Sequence, residues 1–409
     1  MKQESIKYDR LLKGGHVIDP ANSIDGPLDV AVKGDRIACV AKDIPIEESL
    51  FTADVSSLYV TPGLIDLHLH VSPRHRTSVR ADVVPARTGV TTAVDAGSLG
   101  VEHFEEFKTN TIDTAKVRIL AFLNIARCGM ERPWEQDPAE WDPLAVAGMI
   151  QRYPDILVGV KAAHYMGVGF GPYDAAVHAG RLTRRPVMAD YWPRTTATYE
   201  DLLLKHLRPG DIHTHYHGRH FPLLDENGEV SDFLWEAKRR GIIFDVGHGT
   251  GSFWFRHAVP AVRQGFLPDS ISTDLHQGSV LLPNATMPNV MSKFLNMGMT
   301  LQDVVRRSTT DPARIIKRLD LGTLSVGASA DLAVFDLQKG QFTFVDDGHA
   351  RMHASQNLEC VMTICRGQLL WNPRGLGWPD WESAGHYYFT DALLNPEESQ
   401  WLDRPDWPA

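Results

Sequence analysis

Between Tyr8 and Val60 short apolar runs alternate with turn residues, as LLKGGHVID, DVAVKGDRIACVA and LYV. Their β-rich content, with Gly14-Gly15 and Gly34-Asp35 as turns, predicts a small antiparallel sheet. From Thr61 the rhythm changes, and apolar β runs are now separated by longer helical stretches, the pattern of βα units around a parallel sheet. The runs are GLIDLHLH (63–70), VTTAVDAG (90–97), RILAFLNIA (118–126), ILVGVKA (156–162), PVMADYW (186–192), DIHTHYH (211–217), IIFDVGHG (242–249) and SISTDLH (270–276). They supply the strand number of a closed (β/α)8 TIM barrel, and many end in polar or ionisable residues, as strands do where they open onto a catalytic face.

After a helix around Asp303 to Leu319, the β-rich style returns in GTLSVGASADLAVFDL and LECVMTICRGQLLW. These strands are expected to pair with the N-terminal ones. The predicted division is therefore an α/β chain in four parts: 1–60, the N-terminal part of a small β-sandwich domain; 61–319, the barrel; 320–384, the C-terminal part of the sandwich; and 385–409, an aromatic and acidic tail. With Tyr387, Tyr388, Phe389, Trp401 and Trp407, that tail reads either as a docking strap or subunit contact, or as a poorly ordered terminus.

The bulk numbers narrow the function classes. At 409 residues the chain exceeds what one hydrophobic core normally serves, which fits a barrel plus a satellite. Lys+Arg 41 against Asp+Glu 51 gives a formal net charge of -10 with no long single-sign run, so nucleic acid is not an expected partner. The first ten residues are polar, and no apolar run reaches the ~20 residues that cross a bilayer, so a cytoplasmic protein without membrane association is expected. Cys39, Cys128, Cys360 and Cys365 show no CxxC spacing, which points to reduced thiols rather than disulfides or a thiolate zinc site. A small-molecule substrate is the expected partner, and a homo-oligomer stays open.

The candidate chemistry sits at the strand ends. His68 and His70, two apart on an apolar strand, project to the same side of the sheet, and beside Asp66 they favour metal ligation over a structural role. Lys161 ends ILVGV, where an unpaired ammonium costs several kcal/mol or loses its proton. It then either reacts as a neutral amine with carbon dioxide, giving a carbamate that bridges metals, or snorkels to the surface. In IHTHYH the spacing does not choose among His213, His215 and His217. Asp274 follows Ser-Ile-Ser, where an ionised carboxylate needs a cation or hydrogen bonds, and it suits the role of proton acceptor from a metal-bound water.

Over nearly the whole chain, VTPGLIDLHLH, the Lys in VGVKAAH, the His in THYHG, IIFDVGHGTGSF and ISTDLH together resemble the amidohydrolase superfamily. More narrowly they resemble its amidohydrolase/deacetylase branch, related to dihydroorotases and D-aminoacylases. The resemblance implies that His68 and His70 bind one divalent metal, that a carboxylated Lys161 bridges to a second held by His215, and that Asp274 is both ligand and general base. Zinc is the expectation from ligand type. The family pattern wants a fifth-strand His where this chain has Asp190, so the second site uses Asp190, borrows His164 or is weaker. His248 resembles the family's substrate-contacting His, with His164 as a second candidate for that role. The Arg that dihydroorotases carry two residues beyond the HxH pair is absent, and Ser72 stands there.

The expected function is metal-dependent hydrolysis of an amide or ester, of deacetylase type, in a small carboxylic acid, with Asp274 as proton shuttle. The alternatives are a cyclic amide hydrolase of the dihydroorotase or hydantoinase kind and a catalytically silent barrel. Retention of five candidate ligands argues against the last.

Overall fold

The computed structural model describes residues 6–130 and 133–384. The tail 385–409, and the docking or subunit contact expected of it, lie outside the described residues.

The N-terminal runs form β1 (Tyr8–Asp19), β2 (Ile24–Lys33), β3 (Arg36–Ala41), β4 (Ser49–Asp54) and β5 (Tyr59–Pro62). Seven barrel strands follow: β6 (Leu64–Leu69), β7 (Val90–Ala96), β8 (Arg118–Asn124), β9 (Leu157–Ala163), β10 (Val187–Asp190), β11 (Ile212–Thr214) and β12 (Ile243–Asp245). The chain closes with β13 (Leu332–Val345), β14 (Arg351–Cys365) and β15 (Gln368–Trp371).

β6 to β12 pair in sequence order, all parallel. The eighth predicted run closes the ring without forming a regular strand. Ser270 bridges Asp245 on one side and Leu275 bridges Leu69 on the other. Backbone hydrogen bonds, Gly249 N–H to Thr273 O at 2.9 Å and His70 N–H to Leu275 O at 3.0 Å, complete both seams. Ile65, Leu67, Val94, Phe122, Val158, Met188 and Ile212 come from the consecutive strands β6 to β11 and pack in one cluster with Ile316 and Leu321. Residues of so many adjacent strands can meet only inside a closed sheet, so the barrel is packed and not a pore.

Helices cover the outside, and their ends follow ordinary capping rules. In Pro143–Arg152, Asp142 accepts from the N–H groups of Leu144 and Ala145, Pro143 opens the first turn, and Val146, Ala147 and Ile150 face the core.

Both chain ends build the second sheet, in the order β15-β14-β13-β5-β1-β2-β3 with β4 on β1. The joint is β5, parallel to β1 and antiparallel to β13. The long β13–β14 hairpin reaches from this sheet to the barrel mouth. At its tip Asp347 accepts from the N–H groups of Ser252 and Phe253, both at 2.9 Å, and Asp346 accepts from that of Phe255 at 2.8 Å. Among the described residues no helix is long and apolar enough to cross a membrane.

Candidate metal centre

Two imidazoles at the end of β6 are oriented by parallel relays. Thr214 donates its hydroxyl to Asp245 at 2.9 Å, so the 3.0 Å contact between Thr214 Oγ1 and His68 Nδ1 is one in which the ring nitrogen donates. Ser98 likewise donates to Asp95 at 2.9 Å, and His70 Nδ1 lies 2.8 Å from Ser98 Oγ. Each hydroxyl spends its proton on a buried carboxylate, which fixes the proton of each ring on Nδ1 and leaves Nε2 as a lone-pair donor. Burial and the nearby Lys161 push the His68 imidazole down to about 3, which keeps it neutral.

His215 and His164 obey the same rule. His215 Nδ1 meets the Gly247 carbonyl at 2.6 Å, and His164 Nδ1 meets Glu135 at 3.0 Å, so both present Nε2 inward. The inward atoms converge on two carboxylates. Asp274 Oδ1 lies 3.1 Å from His70 Nε2 and 3.7 Å from His68 Nε2. Asp190 Oδ2 lies 3.3 Å from His164 Nε2, 3.5 Å from His215 Nε2 and 4.0 Å from Lys161 Nζ. Lys161 Nζ is in turn 3.2 Å from His68 Nε2. The structure thus brings His68, His70, Lys161, His215, Asp274, Asp190 and His164 into one cluster, all buried or nearly so.

Backbone strain at the strand ends shapes this cluster. His164, His215 and Asp274 take φ of 54°, 68° and 46°, left-handed values that non-glycine residues rarely adopt away from functional sites. The turn at His215 also breaks the two-residue alternation that made three histidines equivalent in sequence. His213, still in β11, faces outward to the Tyr199 hydroxyl at 2.7 Å, and His217 is buried beside Phe253 and Phe294. Two glycines make room. A Cβ on Gly97 (φ 77°) would collide with the Lys161 side chain, and one on Gly249 (φ 55°) with the Asp274 carboxylate.

The electrostatics call for a cation. Burial opposes ionisation of Asp274; charge on the surrounding His70, His68 and His215 would hold its carboxyl well below the usual range, and with those rings neutral a cation has to do so. Asp190 behaves alike, with His215 and His164 outweighing burial. Burial opposes charge on His164, but Asp190 and Glu135 raise it to about 10. Asp190 Oδ1 is buried without a hydrogen-bond partner among the described residues, a costly state for a carboxylate oxygen. One donor atom each from His68, His215 and Asp274 lie within 4.8 Å of one another. Imidazole nitrogens and carboxylate oxygens suit a zinc-like divalent ion, so the residues fit a metal.

His248 is placed elsewhere. Its Nε2 takes a hydrogen bond from Lys293 Nζ at 2.7 Å, and its ring stacks on Phe253 at 4.5 Å. The sequence reading passed over Asp245, Asp95, Glu135 and Lys293. Asp245 and Asp95 each follow an apolar run in a buried strand, where a carboxylate needs partners, and that signal was available.

A profile described as the amidohydrolase family matches residues 285–370. A deacetylase of Agrobacterium fabrum is 33% identical over 321 residues, covering 76% of this chain and 78% of that protein. A deacetylase of Enterococcus faecalis is 29% identical, covering 89% and 99%. A solved adenine deaminase superposes with a TM-score of 0.80 at 28% identity, covering 88% of this chain and 99% of its own. The ringed strands, the histidines at their ends and these likenesses over most of the chain agree, and the chain belongs to the amidohydrolase superfamily, hydrolases that act on C–N bonds.

Proposed function

We propose that this protein hydrolyses an acyl amide or ester of a small carboxylic acid, as a deacetylase. Divalent ions, zinc by ligand type, would be held by His68, His70, His215, Asp274 and a carboxylated Lys161, with Asp190 in place of the fifth-strand His. Bound there, such ions polarise a carbonyl and lower the pKa of water toward neutrality.

The chain's own residues do the rest. Of the two carboxylates, Asp274 has its side chain 13% exposed against 4% for Asp190, so Asp274 is the one turned toward the mouth. As a carboxylate it can accept a proton and return it to the leaving nitrogen or oxygen. Asp190 ends β10 and lies deeper than His164, whose side chain is 26% exposed. His164, gripped by Glu135, orients Asp190 in this arrangement rather than binding metal.

The observation that carries the reading is the convergence of the Nε2 atoms of His68, His70 and His215, whose Nδ1 partners are all spoken for, beside the carboxylates of Asp274 and Asp190. That convergence also speaks against a silent barrel, because aligned imidazole nitrogens beside two carboxylates are the donor set that a divalent ion would use. The deacetylase relatives favour acyl removal over ring opening, and the place of the dihydroorotase arginine is filled by Ser72, buried and giving its N–H to Asp95. Metal quantitation on purified protein, followed by a screen of N-acetyl and O-acetyl acids against cyclic amides, tests the proposal. Turnover confined to cyclic amides would replace it, and a protein that holds no metal under any loading condition would end it.

A further inference from the structure

A cleft of about 220 Å³ opens beside the metal centre, where the chain runs on from three strand ends. Trp192 follows Asp190 by two residues, Arg219 and His220 follow His215 within five, and Thr250 directly follows Gly249, the glycine packed against Asp274. The cleft is smaller than the roughly 300–1,000 Å³ that holds a whole drug-sized ligand, so it suits one end of a small substrate whose other end lies over the metals.

Its polar equipment is that of an anion site. Arg219 Nε donates to His220 Nε2 at 2.9 Å, and the His220 ring stacks on Trp192 at 4.8 Å and 24°. Burial and the Arg219 charge both lower the His220 imidazole, which keeps its Nε2 an acceptor. The guanidinium is therefore held at its Nε edge, with its two terminal amino groups left over for a ligand. Among the described residues Arg219 has no carboxylate partner. The acid in the same wall, Asp347, is committed to the N–H groups of Ser252 and Phe253. On the β6 side, where Ser72 stands, Arg74 is paired with Glu106 at 3.0 Å.

We infer that Arg219 is the specificity-determining residue that grips the carboxylate of the substrate, held in place by the Trp192–His220 stack, so that the enzyme selects acyl compounds of carboxylic acids over their uncharged counterparts. The inference rests on the deacetylase reading for what is cut, but not for what is bound. A guanidinium offers a carboxylate two parallel N–H donors, which an ammonium does not, so geometry and charge both count.

The test uses the metal-loaded full chain, with Arg219→Gln and Arg219→Lys. With N-acetylalanine and N-acetylalaninol as substrates, Arg219→Gln should lower the acid-to-alcohol ratio of kcat/KM at least tenfold, and Arg219→Lys should recover part of it. An unchanged ratio overturns the inference. Calorimetric titration with 3-phenylpropionate and 3-phenylpropanol, neither of which has an acyl bond to cut, separates it from the deacetylase reading. Wild-type protein should bind the acid at least tenfold more tightly, and Arg219→Gln should erase that preference even if no acetyl compound is turned over. A preference that survives in Arg219→Gln places the carboxylate on the metals instead, and no preference in the wild type equally overturns the inference.

Discussion

Two buried clusters near the barrel mouth each set a lysine amine against a histidine ring, and they differ in everything around that pair. In one, Lys161 Nζ stands 3.2 Å from His68 Nε2, with three more Nε2 atoms and two carboxylates nearby and one oxygen of Asp190 unpartnered. In the other, Lys293 Nζ donates to His248 Nε2 at 2.7 Å. There the carboxylates are saturated by the backbone: Asp347 by Ser252 and Phe253, and Asp346 by Phe255, Gly348 and Ala350. A buried Lys–His contact is thus no mark of a metal site by itself. What sets the first cluster apart is the convergence of imidazole nitrogens and a carboxylate within 4.8 Å of one another, in His68, His215 and Asp274.

The largest expected effect separates the two lysines. Lys161→Ala should empty at least one metal position and abolish turnover, whereas Lys293→Met should keep its full metal content, both read by elemental analysis of purified protein. Undiminished metal and activity in Lys161→Ala would erase the distinction.

Asp274→Asn should lower kcat by at least the ~10²-fold typical of a lost general acid or base, and further if a metal leaves with it. Metal content measured on the same sample tells the two losses apart, and wild-type kcat would assign the proton acceptor elsewhere.

Asp190 sharpens the boundary between ligand and support. Changing a residue that only orients a ligand costs about 10–100-fold in metal affinity. Asp190→Asn should weaken one of two metals by more than that, while Asp190→His should retain it, as a chelator competition series would show. Two tightly held metals in both variants would make Asp190 a supporting residue and return His164 to the ligand set.

The smallest effect on metal content and turnover belongs to the self-satisfied cluster, where the expected change is one of stability. Burial lowers Lys293 from 10.5 to about 7. Below pH 7 the amine is protonated in both folded and unfolded chains and the full burial penalty applies. Between about 7 and 10.5 the unfolded chain binds more protons, so folding stability rises with pH, by at most about 1.4 kcal/mol per pH unit. Lys293→Met should remove that rise, seen as denaturant midpoints that no longer climb from pH 7.5 to 9.5. Burial raises Asp347 from 3.8 to about 7, which acts in the opposite sense: stability falls as pH rises from about 4 to 7, and Asp347→Asn should flatten that limb. Equal slopes in wild type and variants would show that neither group titrates as described.

Much of this protein could be read along one dimension. Periodic apolar runs ending in His, Lys or Asp depend on neighbours one or two residues away, so the barrel, the sheet shared by both chain ends, and the strand-end positions of His68, His70, Lys161 and Asp274 were legible in the sequence. The closing segment 270–276 was legible as a run but not as an irregular one, because single bridges rather than a ladder hold it. What only the tertiary structure decided depends on residues far apart in the chain or on backbone leaving the regular strand. The choice of His215 over His213 and His217 follows from a φ of 68° at one residue, which no alternation rule contains. The relays through Thr214 to Asp245 and Ser98 to Asp95, which aim His68 and His70, span 146 and 28 positions to their rings. His248, the expected substrate contact, has its Nε2 hydrogen-bonded by a helix residue 45 positions on, Lys293, a partner that no local pattern contains. Sequence determines which side chains reach the mouth of the barrel, and three-dimensional hydrogen bonding decides which of their lone pairs remain to do chemistry, because a donor or acceptor is available only when nothing else in the fold has satisfied it.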